Sequence, residues 1–293
     1  MDALSNYITA LGYGSEDDSR YQKYWPADIH LVGKEIVRFH TIIWPAMLMA
    51  LNLPLPKKVY GHGWLLLDGG KMSKSKGNIV DPVILCNRYG VDAVRYFLLR
   101  EVPFGSDGNF SNEALINRIN SDLANDLGNL VARSTSMVDK YFSGNIPADR
   151  VPTEFDQTLI SLAQSTKALV EKYLDNLEYS AALTELFRLV SRTNKYIDET
   201  TPWTLAKSEE NTGKLASVMY NLCEAMRIIA VLLTPFLPST SAKIAEKINA
   251  GATITDWNSA DHWGLLSGEG ITKAEPLFPR IDVEKELAAL ENE

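Results

Sequence analysis

The spacing of apolar residues changes period part-way along the chain. Before about residue 70, short apolar runs alternate with one helical stretch. Ile29-His30-Leu31-Val32 ends at Gly33 and reads as a buried strand. A helix is predicted over about 34–52, bent or interrupted at Pro45, and 58–61 and 64–67 read as further strands. Strand, helix, strand is the order of a βαβ unit, so this stretch predicts part of an α/β sheet. From Ser111 onward the pattern is helical. Leu115, Ile119, Leu123, Leu127 and Leu130 recur at three- and four-residue steps on a long predicted helix reaching about Phe142. Further helices are predicted over about 154–176, 179–199, 210–234 and 239–249, punctuated by Pro202, Pro235 and Pro238. This is the pattern of a helical bundle with roughly five members. The charged end, 284–293, predicts an exposed helix or tail.

Between the two regions the helix signals are local. Asp81-Pro82 places an N-cap carboxylate before a proline at the first helical position, predicting a helix that runs to Tyr89 and ends at Gly90. A second helix is predicted over about 92–100, and Pro103-Phe104-Gly105 with Asp107-Gly108 reads as a loop.

Composition narrows the function classes. The 293 residues leave room for about two domains, with 45% apolar and 23% charged residues, as in a globular protein. The net charge of -8 means that nucleic-acid binding must rest on local patches. One candidate is Lys57-Lys58 with Lys71, Lys74 and Lys76. Another is Arg188, Arg192 and Lys195, one predicted helix face whose competing reading is a solvated surface. Cys86 and Cys223 stand far apart in apolar helical patterns and are expected in the core, with no disulfide or zinc spacing. The longest apolar stretch, Ile228 to Leu237, is shorter than a bilayer span and carries Pro235, so a cytoplasmic location is expected.

Candidate chemistry concentrates in one run. Lys71-Met72-Ser73-Lys74-Ser75-Lys76 is opened by Asp68-Gly69-Gly70 and closed by Gly77-Asn78, and glycines on both sides predict a loop. Lysines on a loop can converge on one polyanion, and a triphosphate suits their point charges. Gly33-Lys34-Glu35 lies at a strand-to-helix junction, where ligands of α/β sheets bind. Glycine there admits a nucleotide, and a carboxylate can accept ribose hydroxyls. Ile36, His40 and Trp44 share a helix face and could line an apolar pocket with one polar tip, or form ordinary core. Asn125, Asn129 and Arg133 make an i, i+4, i+8 stripe, either a wet surface or a reader of unstacked bases. Trp203, after Thr201-Pro202, is either a core plug or an exposed stacking platform.

The lysine-rich run resembles the KMSKS loop of class I aminoacyl-tRNA synthetases. Its flanks, Gly61-His62-Gly63-Trp64 and Gly77-Asn78-Ile79-Val80-Asp81-Pro82, are similar too. Asp2-Ala3-Leu4-Ser5-Asn6-Tyr7, the segment from His30 to His40, Trp44-Pro45-Ala46, Thr201-Pro202-Trp203 and the segment from Pro276 to Ile281 resemble the methionyl-tRNA synthetase family within that class. The resemblance implies the C-terminal half of a Rossmann-like catalytic domain (1–78), a stem-contact segment (79–110), an α-helical anticodon-binding bundle (111–281) and a charged tail (282–293). It implies that Ala3, Leu4, Tyr7, Ile36 and His40 line a methionine pocket. Gly33, Glu35, His62 and Ser73 would join Lys71 and Lys74 at ATP, the two lysines acting catalytically on the triphosphate with Mg²⁺ assisting. Asn129, Arg133 and Trp203 would read the CAU anticodon of the methionine tRNA. The family's His-Ile-Gly-His turn, its zinc-bearing insertion and a tryptophan expected just before Asp2 are not in these 293 residues. The expectation is therefore the larger part of a methionine–tRNA ligase that is inactive alone. The alternatives are a non-catalytic anticodon-binding module or a class I ligase for another amino acid.

Overall fold

The computed structural model describes residues 2–67, 70–71 and 80–290, with only the backbone of Lys71. The chain divides into two compact units, Met1–Met72 with Phe104–Asn109, and Ser73–Pro103 with Phe110–Glu293.

In the first unit, helices α1 (Asp2–Thr9) and α2 (Ser19–Tyr24) precede strand β1 (His30–Gly33). A helical run then passes through a 3-10 turn (Lys34–Ile36) and a π-turn (Phe39–Ile43) into α3 (Trp44–Ala50). The π-turn gives the predicted interruption at Pro45 its form. Proline has no N–H for the carbonyl of Thr41 and its ring would clash there, and a widened turn relieves both. Strand β2 (Val59–His62) pairs parallel with β1, with Gly33 opposite His62. Strand β3 (Leu65–Leu67) lies between β4 (Gly70–Lys71) and β5 (Gly108–Phe110). Two loop expectations change here. Gly70–Lys71 pairs antiparallel with Leu66–Leu67, and Gly108–Phe110 is a strand. Short strands with glycine carry little periodicity, so neither was visible as one. The core of this unit is Leu4, Ile8, Tyr21, Trp25, Trp44 and Leu48.

The second unit opens with α4 (Pro82–Tyr89), and Asp81 accepts from Val83 N at 2.8 Å as its cap. Helix α5 (Val91–Glu101) follows. Ser111 caps α6 (Asn112–Arg118) through Ala114 N, and a ten-residue π-segment (Ile119–Gly128) leads into α7 (Asn129–Phe142). Gly128 fits this wide winding, because a Cβ there would lie 2.9 Å from Leu123 O. The bundle continues with α8 (Asp156–Asp175), α9 (Tyr179–Thr200), the short α10 (Pro202–Leu205), α11 (Thr212–Leu233) and α12 (Pro238–Lys247), and α13 (Val283–Leu290) lies near the end. Leu115, Ile119, Leu123, Leu127 and Leu130 are all buried, each burial contributing about 1.5–3 kcal/mol.

Helix α11 corrects one expectation. With its preceding turn, Glu209–Leu233 is long and apolar enough to cross a bilayer, but its apolar window is wholly buried in the bundle. Asn221, Glu224 and Arg227 broke up its pattern in the sequence. Glu224 and Arg227 are buried as a pair, Arg227 Nη2 donating to Glu224 Oε1 at 2.7 Å. Glu224 also accepts from Gly264, Leu265 and Leu266 N, and Arg227 donates to Ser259 O and His262 O. This pair staples the 257–266 segment to the core helix. Cys223 is buried as expected and its thiol is pushed up to about 12 by desolvation, whereas Cys86 is only half-buried.

Candidate functional site

The first unit builds an aromatic pocket from α1, β1 and the π-turn. Tyr7 projects from α1 onto His40, its hydroxyl 2.8 Å from Nε2. His40 Nδ1 lies 2.9 Å from Ile36 O, which can only accept, so Nδ1 carries the proton. In the neutral ring Nε2 is then the acceptor, and Tyr7 donates to it. His30 at the start of β1 is buried beside them, its ring centroid 4.4 Å from that of Tyr7. Trp44 Nε1 donates to His30 Nε2 at 3.1 Å, which fixes the Nδ1–H tautomer of His30. Burial, and secondarily the neighbouring His40, lowers the pKa of His30. Trp25 closes the cluster at 5.9 Å from His30 and 6.0 Å from Trp44.

Of the residues expected here, Leu4 is buried, Tyr7 is half-buried and His40 is 4% exposed, and all three meet this cluster. Ala3 and Ile36 are exposed. Sequence reading missed His30 and Trp25 as pocket residues. The only signal was aromatic density around a short strand, which ordinary core also produces.

The carboxyl ends of β1 and β2 form a second cradle. The register sets Gly33 beside His62, far apart in sequence. Glu35 folds back over Gly33, where a Cβ would lie 2.5 Å from Glu35 Oε2, so a side chain at this position would displace the carboxylate. His62 is half-buried, with Nδ1 2.8 Å from Gly63 O and its ring stacked on Phe104 at 5.9 Å. Residues 104–109 run along this edge. Tyr60 donates to Phe104 O at 2.9 Å, and Gly63 approaches Ser106 O so closely that a Cβ would lie 2.0 Å away. Lys34 Nζ donates to both carboxylate oxygens of Asp107, at 2.7 and 2.6 Å, and this holds Asp107 below the usual carboxylate range. Ser73 and Lys74 lie outside the described residues, as does the Lys71 side chain.

The second unit holds the candidate base readers. Asn129 and Arg133 lie one turn apart in regular α7, whereas Asn125 lies in the π-segment, whose wider turn takes it off the predicted straight stripe. Asn129 is exposed, and half-buried Arg133 reaches Asp198 near the end of α9 at 3.4 Å. Trp203 starts the next helix and is 45% exposed, so it is no core plug. The predicted basic stripe on α9 is paired along its own helix, Arg188 with Glu185, and Arg192 and Lys195 both with Glu199. Arg188 and Lys195 are solvent-exposed, whereas Arg192 is largely buried, so the face is only partly solvated.

Residues 1–135 match the family of tRNA synthetases class I (M), and residues 146–291 match the anticodon binding domain of methionyl tRNA ligase. The chain is 63% identical over 291 residues to the methionine–tRNA ligase of Caldanaerobacter subterraneus subsp. tengcongensis, covering 99% of this chain and 46% of that protein. It is 58% identical over 290 residues to the methionine–tRNA ligase of Bacillus subtilis, covering 98% of this chain and 44% of the relative. Among solved structures, Mycobacterium tuberculosis methionyl-tRNA synthetase in complex with methionyl-adenylate matches with a TM-score of 0.89 and 41% identity, over 95% of this chain and 55% of that one. The chain spans under half the length of the curated relatives it matches. On these grounds the chain belongs to the methionyl-tRNA synthetase family, with part of the class I catalytic domain followed by the anticodon-binding domain.

Proposed function

We propose that this chain supplies the amino-acid pocket, part of the nucleotide cradle, the KMSKS lysines and the anticodon reader of a methionine–tRNA ligase acting in the cytoplasm. The observation that carries the reading is the Tyr7–His40 pair inside an aromatic cage. Methionine is apolar and polarisable, its sulfur favours ring contacts, and it is a weak acceptor. A cage of ring faces suits it and leaves a charged side chain unpaired.

In the first step a methionine carboxylate oxygen attacks the α-phosphorus of ATP, and the bond to the bridging oxygen breaks to release pyrophosphate. In the second, the 3′-terminal hydroxyl of tRNA attacks the acyl carbon and AMP leaves. Glu35, over Gly33, accepts the ribose hydroxyls, and His62 flanks the nucleotide. Lys71, Ser73 and Lys74 meet the triphosphate, and the lysines stabilise charge growing on pyrophosphate. Mg²⁺ brought with ATP would assist by offsetting charge on the triphosphate. Ala3, Leu4 and Ile36 border the methionine side chain. Trp203 stacks on an unstacked base of CAU while Asn129 and Arg133 meet base edges.

The test is ATP–pyrophosphate exchange by the protein that carries these residues. Exchange is expected to require methionine. Exchange driven instead by valine, isoleucine, leucine or cysteine would overturn the assignment.

A further inference from the structure

Trp64 stands between β2 and β3, and its indole N–H donates to Glu35 Oε2 at 2.9 Å. The backbone of Trp64 is tied on both sides. Its main-chain N–H donates to Asp107 Oδ1 at 2.9 Å, and its carbonyl accepts from Gly108 N at 2.9 Å. Its ring is held as well, because Lys34 Nζ, gripping both Asp107 oxygens, lies 4.2 Å from the ring centroid. The indole has a single donor, and it is aimed at the carboxylate. Glu35 is an exposed, rotamer-rich side chain, and a fixed donor on one oxygen sets the plane of its carboxylate over Gly33.

We infer that Trp64 is a positioning residue for ribose recognition. Its indole N–H holds Glu35 in the orientation that receives the ribose hydroxyls, and Asp107 with Lys34 holds the indole. The inference rests on the assignment of Gly33 and Glu35 to the nucleotide and adds the group that orients them. Because Trp64 immediately precedes β3, which pairs with β4 at the head of the KMSKS run, it also ties the ribose contact to the strand that leads into that run.

The test uses the protein that carries this chain and measures ATP–pyrophosphate exchange with ATP and with 2′-deoxy-ATP. Trp64→Phe keeps a ring for Lys34 and removes only the donor. The preference for ATP over 2′-deoxy-ATP is expected to fall about tenfold, the scale of one hydrogen bond to a charged group, with KM for methionine and the melting temperature unchanged. Asp107→Asn is expected to lower the same preference by a smaller factor, and to add nothing in the Trp64→Phe background. Wild-type discrimination in Trp64→Phe would overturn the inference. So would a loss matched by an equal rise in KM for methionine or a drop in melting temperature, since that marks a merely structural role. Failure of the wild-type protein to discriminate the two nucleotides would instead strike the assignment of Glu35 to the ribose.

Discussion

Tyr7 and His40 form a directed pair, the phenol donating to Nε2 because Ile36 O holds the proton of the ring on Nδ1. The tyrosine oxygen is left with acceptor lone pairs and a fixed position. Tyr7→Phe removes that oxygen and keeps the ring. KM for methionine in pyrophosphate exchange is expected to rise about 2–10-fold, the scale of the one hydrogen bond to His40 that fixes the pocket wall, with kcat little changed, as for uniform binding.

His30 carries a pH dependence of stability. Its pKa in the folded chain is lowered, mainly by burial and secondarily by His40. Above the ordinary histidine value of about 6.5 the ring is neutral whether folded or not, and it contributes no pH dependence. As pH falls below that value the unfolded chain takes up a proton that the folded chain resists, so stability falls. Protonation would also remove the acceptor for Trp44 Nε1. Urea denaturation from pH 7.5 to 5.5 should show a decline that is smaller in His30→Gln. Equal declines in the two proteins would show that other groups carry the effect.

Glu224 is fully buried and accepts from Arg227 and from three backbone N–H groups. Glu224→Ala leaves a guanidinium and those amides unpaired in the core. The expected loss is about 3–5 kcal/mol, the usual cost of breaking one side of a buried pair. The denaturation midpoint of the second unit reports it. A loss below 1 kcal/mol, on the scale of about one ordinary hydrogen bond, would mean that water enters the site.

Trp203→Ala should weaken binding of a CAU tRNA by about 1–3 kcal/mol, the range for one base stacked on an aromatic ring, and narrow its preference over tRNAs with altered anticodons. An exposed ring at the start of a four-residue helix contributes little to the core, so helicity and melting temperature should hold. A lower melting temperature with the anticodon preference intact would make Trp203 a structural residue.

Local signals in the sequence carried most of the helical architecture, because a cap is written in two or three adjacent residues. Asp81-Pro82, Ser111 and the leucine spacing of α6 onward each state their element without help from elsewhere. The π-segments were not legible, since their winding is a response to Pro45 in one case and to packing around Gly128 in the other. The candidate sites divide the same way. Gly33, Glu35 and His40 stood out by their place at a strand-to-helix junction and on a helix face, and Tyr7 through resemblance, while His30, Trp25 and Asp107 join their clusters through contacts between distant segments. The Glu224–Arg227 staple looked like an interruption of an apolar helix because its partners lie some forty residues further on.

Residues 104–109 give the chain a particular wiring. It leaves the first unit after residue 72, passes through α4 and α5 of the second, returns for six residues, and leaves again at Phe110. Neither unit is therefore a continuous stretch that one cut could liberate. A protease nick within 73–103 leaves strand β5 still hydrogen-bonded to β3, whereas a gene fragment ending at residue 78 deletes that strand along with Asp107 and the Phe104 stack. Dissection of this protein should follow the wiring, since a single cut between Phe110 and Ser111 would take α4 and α5 away from the helices they pack against.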